Sequence, residues 1–116
     1  MIMGDFNVEE DTETYRSATE NFLDVKYQTE NPIKSCTYQD WGKRLDDDCI
    51  DYIMISKTGF RVNSYNVVRT TYDGVYPSDH FPITASLTLT QANKITSVWQ
   101  KSCGGFLSIL IKKFSG

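Results

Sequence analysis

Between residues 83 and 89 the chain alternates without a break, with Ile83, Ala85, Leu87 and Leu89 on one side and Thr84, Ser86 and Thr88 on the other. A period of two is the pleat of a β-strand, so this segment predicts a strand with one face on a core and one in water. Residues 50–56 are rich in isoleucine and tyrosine and are bounded by Asp48 and by Thr58-Gly59, as expected of a mostly buried strand. Another strand is expected within residues 61–70. Met1, Ile2 and Met3 lead straight into Gly4-Asp5-Phe6-Asn7, which reads as the end of a buried strand entering a loop.

One segment has a different period. Tyr15, Ala18, Thr19, Phe22 and Leu23 recur at helical spacing, which predicts a helix over residues 12–23 with Asp11 or Thr12 as N-cap. Residues 31–42 hold Asn31, Pro32 and Gly42 around Cys36-Thr37-Tyr38 and read as a loop with at most a brief strand. Asp46, Asp47 and Asp48 make an acidic turn. The order is therefore strand end, helix, strand, strand, strand, joined by antiparallel pairing.

The chain has 116 residues, 40% hydrophobic and 13% aromatic, enough for one modest domain or part of one and too little for two. A formal charge of −3 argues against tight nonspecific nucleic-acid binding, so an anionic substrate would need a bound cation. Cys36, Cys49 and Cys103 are odd in number and lack CxxC spacing, which suggests neither a disulfide framework nor a zinc site and fits a reducing compartment. No signal-peptide pattern opens the chain, and its apolar run at residues 106–111 is far short of a membrane span.

Three short motifs carry chemistry. In Gly4-Asp5-Phe6-Asn7, Asp5 and Asn7 lie two apart at a strand end, where a carboxylate can orient water and an amide can hold a phosphate oxygen. Alone, the motif reads as turn chemistry, since Gly, Asp and Asn all favour turns. Asp51 shares a strand face with Ile53 and Ile55, so it is either solvated at a fraying strand end or buried with a partner. In Tyr76-Pro77-Ser78-Asp79-His80-Phe81-Pro82 the chain's only histidine follows an aspartate between two prolines, which restrict the backbone and fix where the side chains point. A carboxylate beside an imidazole sets its tautomer and favours its charged form.

Gly-Asp-Phe-Asn, Ile-Asp-Tyr-Ile and Ser-Asp-His-Phe-Pro, in series at strand heads, resemble the endonuclease/exonuclease/phosphatase superfamily of deoxyribonuclease-like nucleases, phosphatases and sphingomyelinases. Cys36-Thr37-Tyr38 and Tyr76-Pro77 look like its bacterial-type branch. The resemblance implies an α+β fold, the C-terminal half of a four-layer α/β sandwich with mainly antiparallel strands. Residues 1–90 would form that half-domain and residues 91–116 an extension of no assigned role.

It further implies a phosphoester hydrolase dependent on Mg²⁺ or Mn²⁺, acting on a nucleic acid, nucleotide, phospholipid or sugar phosphate. Asp5 would position or activate water, Asn7 hold the phosphate, His80 contact the scissile phosphate and Asp51 pair with the imidazole. Asp79, and Asp5 as a second candidate, would lie at the metal. The family's metal-ligand glutamate comes from a half that precedes these motifs, and Glu9 and Glu10 lie on the wrong side of Gly-Asp-Phe-Asn to replace it. The competing expectation is a truncated, inactive product or an interaction module. Half a sandwich should also expose an apolar sheet face and self-associate. A third expectation, a cation-binding loop at Asp46, Asp47 and Asp48, lacks the ligand spacing of a calcium loop.

Overall fold

A computed structural model describes residues 1–33, 36–44 and 49–90. The acidic turn at residues 46–48 and the extension at 91–116 lie outside the described residues. The described chain is mixed α and β, with two antiparallel sheets and one α-helix.

In the first sheet, β3 (Asp51–Ser56) is central, flanked by β1 (Ile2–Asp5) and β2 (Phe22–Asp24), both antiparallel to it. β4 (Phe60–Val67) and β5 (Ile83–Leu89) make a second, two-stranded sheet with a bulge between Val62 and Ser64. Both expected strands are present; the one sought within residues 61–70 begins one residue earlier, at Phe60, and ends at Val67.

The helix, α1 (Glu13–Asn21), begins on Thr12, whose Oγ1 accepts from the Tyr15 amide at 3.3 Å. It stops before Phe22 and Leu23, which helical spacing had included. These two adopt extended backbone and pair with Ser56 and Ile55 as β2. Phe22 then packs on one side of the sheet and Leu23 on the other. Spacing at i+7 and i+8 cannot tell a helical stripe from a strand that begins where the helix ends, so partners on β3 decided it.

The alternation of β3 builds three layers. Ile53 and Ile55 face β4 and β5, forming a core with Val25, Tyr65 and Ile83. Tyr52 and Met54 face the other way and pack with Tyr15 of α1 and with Cys49. Burying each such side chain is worth roughly 1.5–3 kcal/mol, so β3, apolar on both faces, is the spine of the fold. On β5, Ile83 is buried and Ala85 and Leu87 pack on the core, but Leu89 is 60% exposed because the strand runs past it.

Behind the first sheet lies a buried polar knot. Asp24 accepts from the Tyr15 hydroxyl at 2.9 Å and from the Lys26 amide at 3.0 Å. Lys26, 2% exposed, pairs with Glu10 and lies 3.3 Å from the Cys49 sulfur. Burial alone would lower the Lys26 pKa, but the bond to Glu10 and the nearby Cys49 and Asp24 raise it, so the ammonium stays charged. Among the described residues no helix is long and apolar enough to cross a membrane.

Candidate active site

Asp5 ends β1 and Asp51 begins β3, and the two are direct partners across the antiparallel pair. Directly opposed residues share a face, so both carboxylates leave on the side that carries Ile53 and Ile55, toward the second sheet. Two like charges so placed repel unless something positive lies between them.

For Asp51 that group is His80. Its Nδ1 lies 2.8 Å from Asp51 Oδ2, and since a carboxylate only accepts, the Nδ1–H donates and Nε2 takes no part in that bond. The Asp51 side chain is 15% exposed, so the solvated strand end is not what forms. Burial pulls the imidazole pKa down, but the hydrogen bond and charge of Asp51, with Asp5 and Asp79 adding to them, raise it above the ordinary 6.5. His80 is thus biased toward the cation, the form that can contact a phosphate.

Asp5 binds Asn7 twice, accepting from its amide N–H at 2.8 Å and from Nδ2 at 3.1 Å. The two side chains meet because Asn7 takes φ 52°, a left-handed turn that asparagine tolerates, and the turn folds it back onto Asp5. Turn chemistry and site geometry are here the same thing. Gly4, at φ 147°, holds a backbone that a side chain would strain.

The loop that carries His80 is fastened from two directions. The His80 amide donates to Ser78 Oγ at 3.1 Å, and Ser78 Oγ lies 3.3 Å from Asp79 Oδ1. From residues 36–44, Tyr38 forms an isolated bridge with His80, its ring centroid 5.2 Å from the imidazole. The Gln39 amide donates to the Asp79 carbonyl at 2.9 Å, and the Phe81 amide to the Thr37 carbonyl at 2.6 Å. Thr37 Oγ1 in turn accepts from the amides of Ile50 and Asp51, both at 3.1 Å.

Thr37 and Gln39, each fully buried, thereby lock the histidine loop onto the start of β3. Thr37 stood in the sequence as part of a Thr-aromatic step, without this role. Gln39 gave no signal, because a buried glutamine in a loop has no periodicity.

Beside His80 opens a cleft of about 1170 Å³, whose wall includes Asp51, Ser78, Met3, Ile53 and Ile83. Asp5 and Asp79 offer the hard oxygen donors that Mg²⁺ takes in ones and twos, yet among the described residues no three His, Cys, Asp or Glu side chains are grouped to hold an ion. The donor chemistry suits a divalent cation, and the set these residues provide is incomplete.

One solved structure is similar, described as a functionally unknown conserved protein from Enterococcus faecalis V583, with 30% sequence identity and a TM-score of 0.64. The match covers 75% of this chain and 35% of that one, so the present chain corresponds to about a third of its relative. No curated protein matches the sequence. Residues 1–80, which include Asp5, Asn7, Asp51, Asp79 and His80, match the Endonuclease/Exonuclease/phosphatase family, and the chain belongs to that family.

Proposed function

We propose that this chain carries the water-activating and phosphate-contacting part of a divalent-metal-dependent phosphoester hydrolase site. The observation that carries the reading is the Asp51–His80 pair, at 2.8 Å, set on the same sheet face as Asp5 and its partner Asn7.

In this reading His80, oriented through Nδ1 by Asp51, turns Nε2–H toward a phosphoryl oxygen and opposes the negative charge that grows there during hydrolysis. Asp5 lies opposite, able to orient a water and draw its proton. The second amide hydrogen of Asn7, not used on Asp5, is available to a phosphate oxygen. Bound nearby, Mg²⁺ or Mn²⁺ would neutralise substrate charge, with Asp5 and Asp79 as the carboxylates this chain offers it.

A second reading is favoured by the incomplete donor set and by the 35% share of the relative's length. Here residues 1–90 form the C-terminal half of the family's four-layer sandwich, and the chain by itself is silent until another polypeptide segment completes the metal shell. Hydrolysis of a generic phosphodiester with Mg²⁺ or Mn²⁺ separates the two. Turnover lost both in EDTA and in His80→Ala is the expected mark of a working site. Turnover that survives either control contradicts the assignment, and none at all selects the second reading.

A further inference from the structure

Asp51 holds the His80 imidazole at one atom, Nδ1, over 2.8 Å, and the side chain is still 25% exposed. A single bond at one ring atom sets the direction of that atom and leaves the ring free to rock about it. A second restraint comes from the facing residue. Tyr38 and His80 are opposed in an isolated antiparallel bridge, and residues so opposed put their side chains on one face. Their ring centroids lie 5.2 Å apart with the planes inclined at 59°, within the range of an attractive aromatic pair. The Tyr38 ring is held in its turn. Its neighbours Thr37 and Gln39 bond to the head of β3 and to the carbonyls of Ser78 and Asp79. The Arg44 guanidinium sits over the ring, 5.6 Å from its centroid. His80 lines the cleft together with Asp51 and Ser78, and Tyr38 is not among its walls, so Tyr38 acts on the cleft through the imidazole.

We propose that Tyr38 is a positioning residue for His80: its ring blocks the motion that the Asp51 bond leaves open, so that Nδ1–H stays on the carboxylate and Nε2 keeps one direction. The contact is between rings, so the role belongs to the ring and not to the phenol hydroxyl. The inference rests on the phosphoester reading only for what Nε2 then contacts; the hold on the imidazole needs no ligand. An imidazole kept in one tautomer and one direction is preorganised toward a developing charge, whereas a rocking one must be ordered at the moment of reaction.

The test is ¹⁵N NMR of the ring nitrogens in the full chain, at a pH where its one histidine is neutral. The unaltered chain should hold mainly the Nδ1–H tautomer and show nuclear Overhauser contacts between the Tyr38 ring protons and the imidazole carbon protons. Absence of those contacts overturns the proposal even if no variant folds. Tyr38→Leu should lower the ratio of Nδ1–H to Nε2–H tautomer by about two- to tenfold, the size of one aromatic pair, and Tyr38→Phe should restore it. A ratio unchanged in Tyr38→Leu, or lowered as far by Tyr38→Phe, would each overturn the positioning role. Methyl phosphate with Mg²⁺, added to the same samples, keeps the two readings apart. If the ratio falls in Tyr38→Leu but the ester moves the ring signals of neither chain, the phosphate assignment fails and the positioning role stands.

Discussion

Asp51 and His80 stand 29 residues apart in sequence and are joined Oδ2 to Nδ1 over 2.8 Å. A carboxylate at the head of a buried strand and an imidazole on a loop between prolines each make sense only with the other. Asp51 gains a donor that offsets its burial, and His80 gains a fixed tautomer.

The pair has a pH signature. Because the folded-state pKa of His80 is raised above 6.5, its contribution to stability is fully present below that value and is lost as pH rises through the higher folded pKa. Asp51→Asn removes the charge and should return the imidazole toward 6.5 or below, where burial pulls it. Proton NMR of the ring resonances against pH reads this directly, since the chain has one histidine. A titration unchanged in Asp51→Asn would break the link.

Thr37 holds two amides with one oxygen, and Thr37→Val keeps the shape while leaving the Ile50 and Asp51 N–H groups unsatisfied. The expected cost is about 2 kcal/mol in urea unfolding. The His80 titration should also move, because Asp51 loses its anchor. A loss of stability with an unchanged imidazole pKa would make Thr37 purely structural.

Lys26 is the cation of the polar knot behind the first sheet. Lys26→Met fills the space but strips Glu10 and the buried Asp24 of their counter-charge, and should destabilise by on the order of 3 kcal/mol. Glu10→Gln, which keeps a hydrogen-bond acceptor on a partly exposed residue, should cost less. Equal costs in denaturant titrations would contradict a knot held by charge.

The strands were legible because the periods of β3 and β5 are long and unmixed, and the three motifs lay at strand heads where loops expose side chains. Phe22 and Leu23 were misread because their helical spacing coincides with the first residues of β2, a distinction set by pairing with Ser56 and Ile55. The turn at Gly4-Asp5-Phe6-Asn7 was legible from its residue types, but the left-handed φ that folds Asn7 onto Asp5 was not. Gln39 was hidden because its hold on the histidine loop comes from contacts with Ser78 and Asp79, about forty positions away, and no local rule reaches that far.

Among the described residues, the sheets of three and two strands leave their outer edges without a further strand and leave apolar side chains in water, among them Met1 at 48%, Ile2 at 47% and Leu89 at 60% exposure. Such edges recruit further strands. Sedimentation of the chain should show self-association that grows with concentration, and a strictly monomeric species with one sharp unfolding transition would argue that the described sheets need no partner.

The proposed function is that His80, oriented by Asp51 and set near Asp5 and its partner Asn7, contacts a phosphoryl oxygen. Its most direct test is to follow the single histidine's ring signals while a phosphate monoester is titrated in with Mg²⁺, in the unaltered chain and in Asn7→Ala. Saturable shifts, with the imidazole pKa rising further as the anion binds and weaker binding in Asn7→Ala, are the predicted result. Ring signals indifferent to the ester at every concentration would contradict the account.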